Sequence, residues 1–216
     1  MKAMIHDGTP GFEGLSYSDI DEASVHQGEV KVRLKTAGLN HRDLFVLHRH
    51  KEHSPLIIGS DGAGIIEQVG EGVTQFSVGD EVVIIPSQGW EKKSPAPPEG
   101  FEILGLPFNG TFAETIVLPE VNVVKKPEHL SWEQAGVLGL GAVTGHRALF
   151  TRGDLKAGQT VFIPGIGSGV ATFMVQMAKA VKARVIVSSR SEEKRNKALA
   201  LGADKAIDSE GDWKDL

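Results

Sequence analysis

The hydrophobic and polar positions of the chain change period once, near residue 130. Over Glu29-Val30-Lys31-Val32-Arg33-Leu34-Lys35 they alternate without a fault. Val30, Val32 and Leu34 therefore share one face and the charges the other, as a half-buried strand requires. Ile65-Ile66-Glu67-Gln68-Val69, Glu81-Val82-Val83-Ile84-Ile85 and Thr115-Ile116-Val117-Leu118 add short β runs, bounded by turn signals such as Val78-Gly79-Asp80. Short strands with glycine punctuation predict a small barrel or a partly open antiparallel sheet. Periodicity lapses from Ser87 to Phe108, where residues 94–100 read as a loop.

Beyond residue 130 the period lengthens. Ser131-Trp132-Glu133-Gln134 is a capping box, which predicts a helical stretch toward Arg152. Gln159-Thr160-Val161-Phe162-Ile163-Pro164 reads as a buried strand, and Gly165-Ile166-Gly167-Ser168-Gly169 as a turn into a helix. On that helix Val170, Met174, Met177 and Val181 form one apolar stripe. Arg184-Val185-Ile186-Val187 is a second strand, Ser191 caps a second helix that Gly202 stops, and Lys205-Ala206-Ile207-Asp208 is a third strand. Strand–helix–strand–helix–strand is the first half of a doubly wound parallel sheet. The fold class expected is α/β: a β-rich domain over 1–128, then part of a dinucleotide-binding domain over 129–216.

Composition narrows the chemistry. Lys and Arg number 23 against 28 Asp and Glu, a net charge of −5, so no basic surface invites nucleic acid or an anionic membrane. Cysteine is absent, which excludes a disulfide, a Cys-ligated zinc, an Fe–S cluster and a thiol nucleophile. No segment nears the ~18 continuous apolar residues of a membrane span. Asp7 interrupts the N-terminus before an apolar signal region could form, and a soluble, cytoplasmic protein is expected. Glycine is in excess at 26 of 216 residues, against a usual ~7%.

Part of that excess sits where chemistry is expected. A glycine-rich turn from strand to helix aims free backbone N–H groups and the helix dipole at an anion. Gly165, Gly167 and Gly169 alternate, Ser168 can donate a hydroxyl, and Val170 stands where a third fingerprint glycine would be. The turn reads as a pyrophosphate site, the bland alternative being a tight βα turn with no ligand. A Walker loop is excluded, because no Gly-Lys pair occurs in the chain. After the second strand, where an NAD site has Asp or Glu, stand Ser188-Ser189-Arg190-Ser191, with Lys194 one turn on. Hydroxyls and cations suit a 2′-phosphate, so NADP(H) is the expected cofactor; the alternative is a pair of solvated helix-start charges. His41, His48, His50 and His53 fall close together. Their spacing does not converge on a metal, and they read as loop residues in solvent, with proton donation by His41 as the functional alternative.

The chain resembles the medium-chain dehydrogenase/reductase superfamily in its zinc-independent quinone oxidoreductase-like branch. The motifs run through almost its whole length. They are Ala37-Gly38-Leu39-Asn40-His41-Arg42-Asp43, Gly59-Ser60-Asp61-Gly62-Ala63-Gly64, Val78-Gly79-Asp80-Glu81-Val82, Leu155-Lys156-Ala157-Gly158-Gln159-Thr160-Val161, the turn at Gly165, and Ala200-Leu201-Gly202-Ala203-Asp204. The resemblance implies a GroES-like catalytic domain, a Rossmann domain, and hydride transfer across a cleft between them. Zinc-dependent members place Cys at Asn40, His at Ser60 and Cys near Leu140; all three are missing here. Without a Lewis acid, the resemblance implies hydride transfer from NADPH to a small-molecule quinone or α,β-unsaturated carbonyl. It further implies that Asn40 faces the nicotinamide ribose and substrate, and that Thr144 lies against the nicotinamide. Gly165, Gly167, Ser168, Gly169 and Val170 would hold the pyrophosphate, and Ser189, Arg190 and Lys194 the 2′-phosphate. A complete member has about six strands in this sheet and forms a homodimer, so a C-terminally truncated member is expected. Two other functions stay open: a non-catalytic NADP(H)-binding module, and an alcohol dehydrogenase-like activity.

Overall fold

The structure of the chain, a computed structural model, describes residues 1–92, 94–211 and 213. It divides into two compact units, Met1–Leu140 and Gly141–Leu216. The first carries β1 (Lys2–His6), β2 (Leu15–Asp19), β3 (Glu29–Gly38), α1 (His41–Arg49), β4 (Leu56–Ile57) and β5 (Asp61–Val69). After these come β6 (Glu81–Ile84), β7 (Ser87–Gln88), β8 (Glu102–Ile103), β9 (Thr115–Pro119), β10 (Val123–Lys125) and the one-turn helix α2 (Trp132–Ala135). The main sheet runs β10-β6-β5-β3-β9 with every pair antiparallel. A smaller sheet runs β2-β1-β4, and β7 and β8 form a hairpin inside the aperiodic stretch.

The alternation in β3 places Val30 and Val32 wholly out of solvent, with Leu34 at the margin of the core. They pack with Ile66, Val82, Ile84, Ile116 and Leu118 from the neighbouring strands. Burying side chains of this size contributes ~1.5–3 kcal/mol each, which makes this face the stabilising centre of the unit. The capping box at Ser131 forms as expected, its hydroxyl accepting from the Gln134 N–H. The helix it opens stops after one turn, at Gly136. A Cβ there would lie 2.2 Å from the Thr36 hydroxyl, so the chain leaves the helix to pass close against β3. Trp132 and Ala135 pack with Ala63 and Val83, which attaches the segment after residue 128 to the first unit.

Three of the four clustered histidines are not loop residues in solvent: His41 and His48 lie on α1, exposed, and His50 is buried. His50 is 3% exposed, and its Nδ1 lies 2.9 Å from Nδ1 of His6, 44 residues earlier in the chain. One ring donates and the other accepts, so the pair fastens the end of β1 to the end of α1. Burial, with His6 alongside, holds His50 below the usual imidazole range. His41, His48 and His53 are exposed as expected.

The second unit carries α3 (Gly141–His146), a π-helical turn (Arg147–Arg152), β11 (Thr160–Ile163), α4 (Gly169–Ala180), β12 (Arg184–Ser188), α5 (Glu192–Ala200) and β13 (Lys205–Ile207). The strands lie in the order β11-β12-β13, both pairs parallel. This is the expected first half of a doubly wound sheet. The buried line of α4 differs from the predicted stripe by one position. Ala171, Val175 and Ala178 face the core, while Met174, Met177 and Val181 lie partly buried beside it. Small side chains on the contact line let the helix approach the valines of β12, and the longer ones fill the flanks. Among the described residues no helix is long and apolar enough to cross a membrane.

Candidate cofactor-binding and active site

Asn40 lies two residues beyond β3 and caps α1 from extended backbone, in a capping box with Asp43. Its main-chain N–H donates to Asp43 Oδ2 at 2.7 Å, and its Nδ2 donates to Asp61 Oδ2 at 2.9 Å. The other oxygen of Asp61 accepts the Leu140 N–H at 2.5 Å. Asp61 is 1% exposed at the start of β5. Burial pushes its pKa up to about 6, against the opposing pull of the hydrogen bonds from Asn40 and Leu140. Asp43 is also buried, which raises its pKa, and its Oδ1 is left without a partner.

Beside this group, Ser60 is fully buried and its hydroxyl donates to the Leu104 carbonyl at 2.8 Å. The Arg42 guanidinium reaches the carbonyls of Ile103, Leu104 and Leu106 at 3.0–3.2 Å and stands 3.4 Å from Ser60 Oγ. A zinc ion at these positions would need converging lone pairs. Asn40 spends its amide on Asp61, Ser60 has donated its proton elsewhere and faces a fixed cation, and Leu140 offers an N–H. These residues do not fit the metal. Among the described residues no cluster of three His, Asp or Glu could hold one. His41, the first residue of α1, is exposed, with its ring edge-on to Phe45 at 4.9 Å.

In the second unit the glycine turn joins β11 to α4, with Ser168 as N-cap accepting from the Ala171 N–H at 3.1 Å. Ala171 is thereby satisfied, and the N–H groups of Gly169 and Val170 are first-turn donors that no intrahelical carbonyl can serve. Gly165 and Gly167 adopt φ of 68° and 126°, values that side chains disfavour. Gly169 needs no such freedom, yet a Cβ on it, or on Gly165, would meet nothing within 4 Å. Room beside the backbone, with donors aimed into it, suits the approach of a pyrophosphate. At the end of β12 Ser189 is buried and Arg190 exposed. Lys194 folds back over the turn, its Cδ 2.5 Å from where a Gly167 Cβ would be. The expected phosphate residues therefore occupy one end of one sheet. Thr144 lies exposed on α3.

Residue type alone does not single out Asp61 and Arg42, although both stand in the motifs quoted above. Their signal was a charged residue inside an otherwise glycine-rich or helix-opening motif, where burial could not be read from spacing.

Residues 26–128 match the family model of the alcohol dehydrogenase GroES-like domain, and residues 169–216 that of the zinc-binding dehydrogenases. A zinc-type alcohol dehydrogenase-like protein of Schizosaccharomyces pombe is 38% identical over 213 residues, covering 96% of this chain and 61% of its own length. The crystal structure of an NAD-dependent alcohol dehydrogenase is similar with a TM-score of 0.90 at 36% identity, over 97% of this chain and 64% of that one. A quinone oxidoreductase of Pseudomonas syringae pv. Tomato gives a TM-score of 0.80 at 32% identity, over 98% and 59%. The chain thus spans about 61% of the length of the curated relative.

Proposed function

We propose, on the premise that this chain belongs to the medium-chain dehydrogenase/reductase superfamily, that the protein carrying it is an NADPH-dependent oxidoreductase reducing a quinone or α,β-unsaturated carbonyl without zinc. The observation that carries the cofactor reading is the end of β12. Ser188-Ser189-Arg190 replaces the acid that would bind a ribose 2′-hydroxyl, and Lys194 lies over the phosphate turn. Bound NADPH supplies the hydride. The first-turn N–H groups of α4 and the dipole of this twelve-residue helix would hold its pyrophosphate. Ser189, Arg190 and Lys194 would take the 2′-phosphate, Thr144 would serve the nicotinamide, and Asn40 its ribose. The donor arrangement at Asn40, Ser60 and Leu140, with Arg42 beside it, supports the metal-free reading. Lacking a Lewis acid, the site favours an acceptor already activated by conjugation, and the protein's share is positioning and electrostatics.

Titrating the chain with NADPH and NADH tests the cofactor. Charge-assisted hydrogen bonds contribute ~1.5–3 kcal/mol, so Arg190→Ala should weaken NADPH roughly 10–100-fold while NADH changes little. An equal effect on both cofactors would refute the 2′-phosphate assignment.

A further inference from the structure

We propose that Lys194 selects the dinucleotide by exclusion as well as by attraction. In the ligand-free chain it fills the space that Gly167 leaves for a pyrophosphate. It yields that space to a cofactor whose 2′-phosphate it can bind, and NADH has none. The inference rests on the NADP(H) reading and deepens it. The place of Lys194 follows from local sequence. Ser191 caps α5 and accepts the Lys194 N–H at 3.3 Å, which sets Lys194 in the first turn of the helix. A side chain there leans toward the helix N-terminus, the end that follows β12. The glycine turn is tied to the same end, because the Ile166 N–H donates to the Ser188 carbonyl at 2.8 Å. Glu193, next to Lys194, is taken by Lys197 one turn further along α5.

The contact distinguishes among the three glycines. A Cβ on Gly165 or Gly169 would meet nothing within 4 Å. A Cβ on Gly167 would lie 2.5, 3.0 and 3.2 Å from Cδ, Cε and Nζ of Lys194. The far half of the lysine therefore stands where a Gly167 side chain would stand. In a dinucleotide turn the second glycine is the one that must lack a side chain, because the pyrophosphate comes against its backbone. Gly167 is the second glycine of this turn. Lys194 and a pyrophosphate cannot share that space, so either cofactor has to move the lysine. NADPH offers the displaced ammonium a phosphate at the end of β12, beside Ser189 and Arg190. NADH offers a neutral hydroxyl, a weaker partner for a cation. The cost of uncovering the turn is offset for one cofactor and not for the other.

Two substitutions at this exposed position separate bulk from charge. Lys194→Ala removes both, whereas Lys194→Met keeps most of the length and loses the charge. In fluorescence titrations both variants should bind NADPH on the order of tenfold more weakly than the parent chain. NADH should bind Lys194→Ala roughly fivefold more tightly than Lys194→Met, since the charge is equal and only the cover differs. Equal NADH affinities in the two variants overturn the exclusion, and so does NADPH binding that neither variant changes. A second measurement needs no cofactor. Through-space proton NMR should show Lys194 Hε against Gly167 Hα in the ligand-free chain, and the contact should vanish when NADPH is added. Its absence from the ligand-free chain overturns the proposal, whatever the titrations give. The contact present, with neither cofactor bound by the parent chain, would instead sink the NADP(H) reading and the discrimination with it.

Discussion

Gly110→Ala should destabilise the first unit by about 2–4 kcal/mol, a large share of a domain's ~5–15 kcal/mol. A Cβ on Gly110 would lie 1.9 Å from the Gly59 carbonyl oxygen and 2.7 Å from that of Ile58. Both obstacles are backbone, so no rotamer change relieves the contact. The Gly110 N–H also donates to Ile57 O at 2.7 Å, and the next residue, Thr111, donates its hydroxyl to Asp61 O at 2.8 Å. Moving the loop would break one bond or disturb the other, at the strand end that carries Ser60 and Asp61. Chemical denaturation of the first unit's signal measures the effect. A variant within about 0.5 kcal/mol of the parent chain would show that the loop does not lie where it is placed here.

The second large effect concerns Gly167, and here stability should change less than binding. Its φ of 126° is strained for any side chain, a cost of about 1–3 kcal/mol. The added Cβ would also meet Lys194 Cδ at 2.5 Å, displacing a flexible side chain off the phosphate turn. On the proposed reading two contacts would be lost together: the backbone approach to the pyrophosphate, and the Lys194 cation proposed for the 2′-phosphate. Gly167→Ala should therefore weaken NADPH binding roughly 100-fold or more, with the fold of the second unit intact by circular dichroism. Gly169→Ala is the control for space. Its Cβ meets no protein atom, so folding should be untouched, and any loss of affinity would come from the ligand side. Retained affinity in both variants would contradict a pyrophosphate seated against this turn.

Much of the fold was legible because its signals are local. The alternation of β3, the capping box at Ser131 and the Gly165–Gly169 turn each follow from residues within about ten positions of one another. What could not be read depends on partners far along the chain. His50 pairs with His6 across 44 residues, and spacing among the clustered histidines carries no trace of that contact. The helix opened by Ser131 ends early because Gly136 passes against Thr36, a hundred residues upstream. On α4 the larger residues suggested the wrong contact line, since close helix–strand approach selects alanine over methionine. The candidate site divides the same way. The glycine turn and the Ser189-Arg190 pair are contiguous in the chain, so their proposed roles rest on local sequence. The Asn40–Asp61–Leu140 chain of hydrogen bonds joins three segments, and only folding brings them together.

Turnover settles the central claim. In the protein that carries this chain, NADPH should be oxidised by 1,4-benzoquinone or by a simple enone, at a rate unchanged by a strong metal chelator and not raised by added zinc. Activity that a chelator abolishes and zinc restores would contradict the account, because the residues at positions 40, 60 and 140 would then be holding a metal that their hydrogen bonds leave no room for.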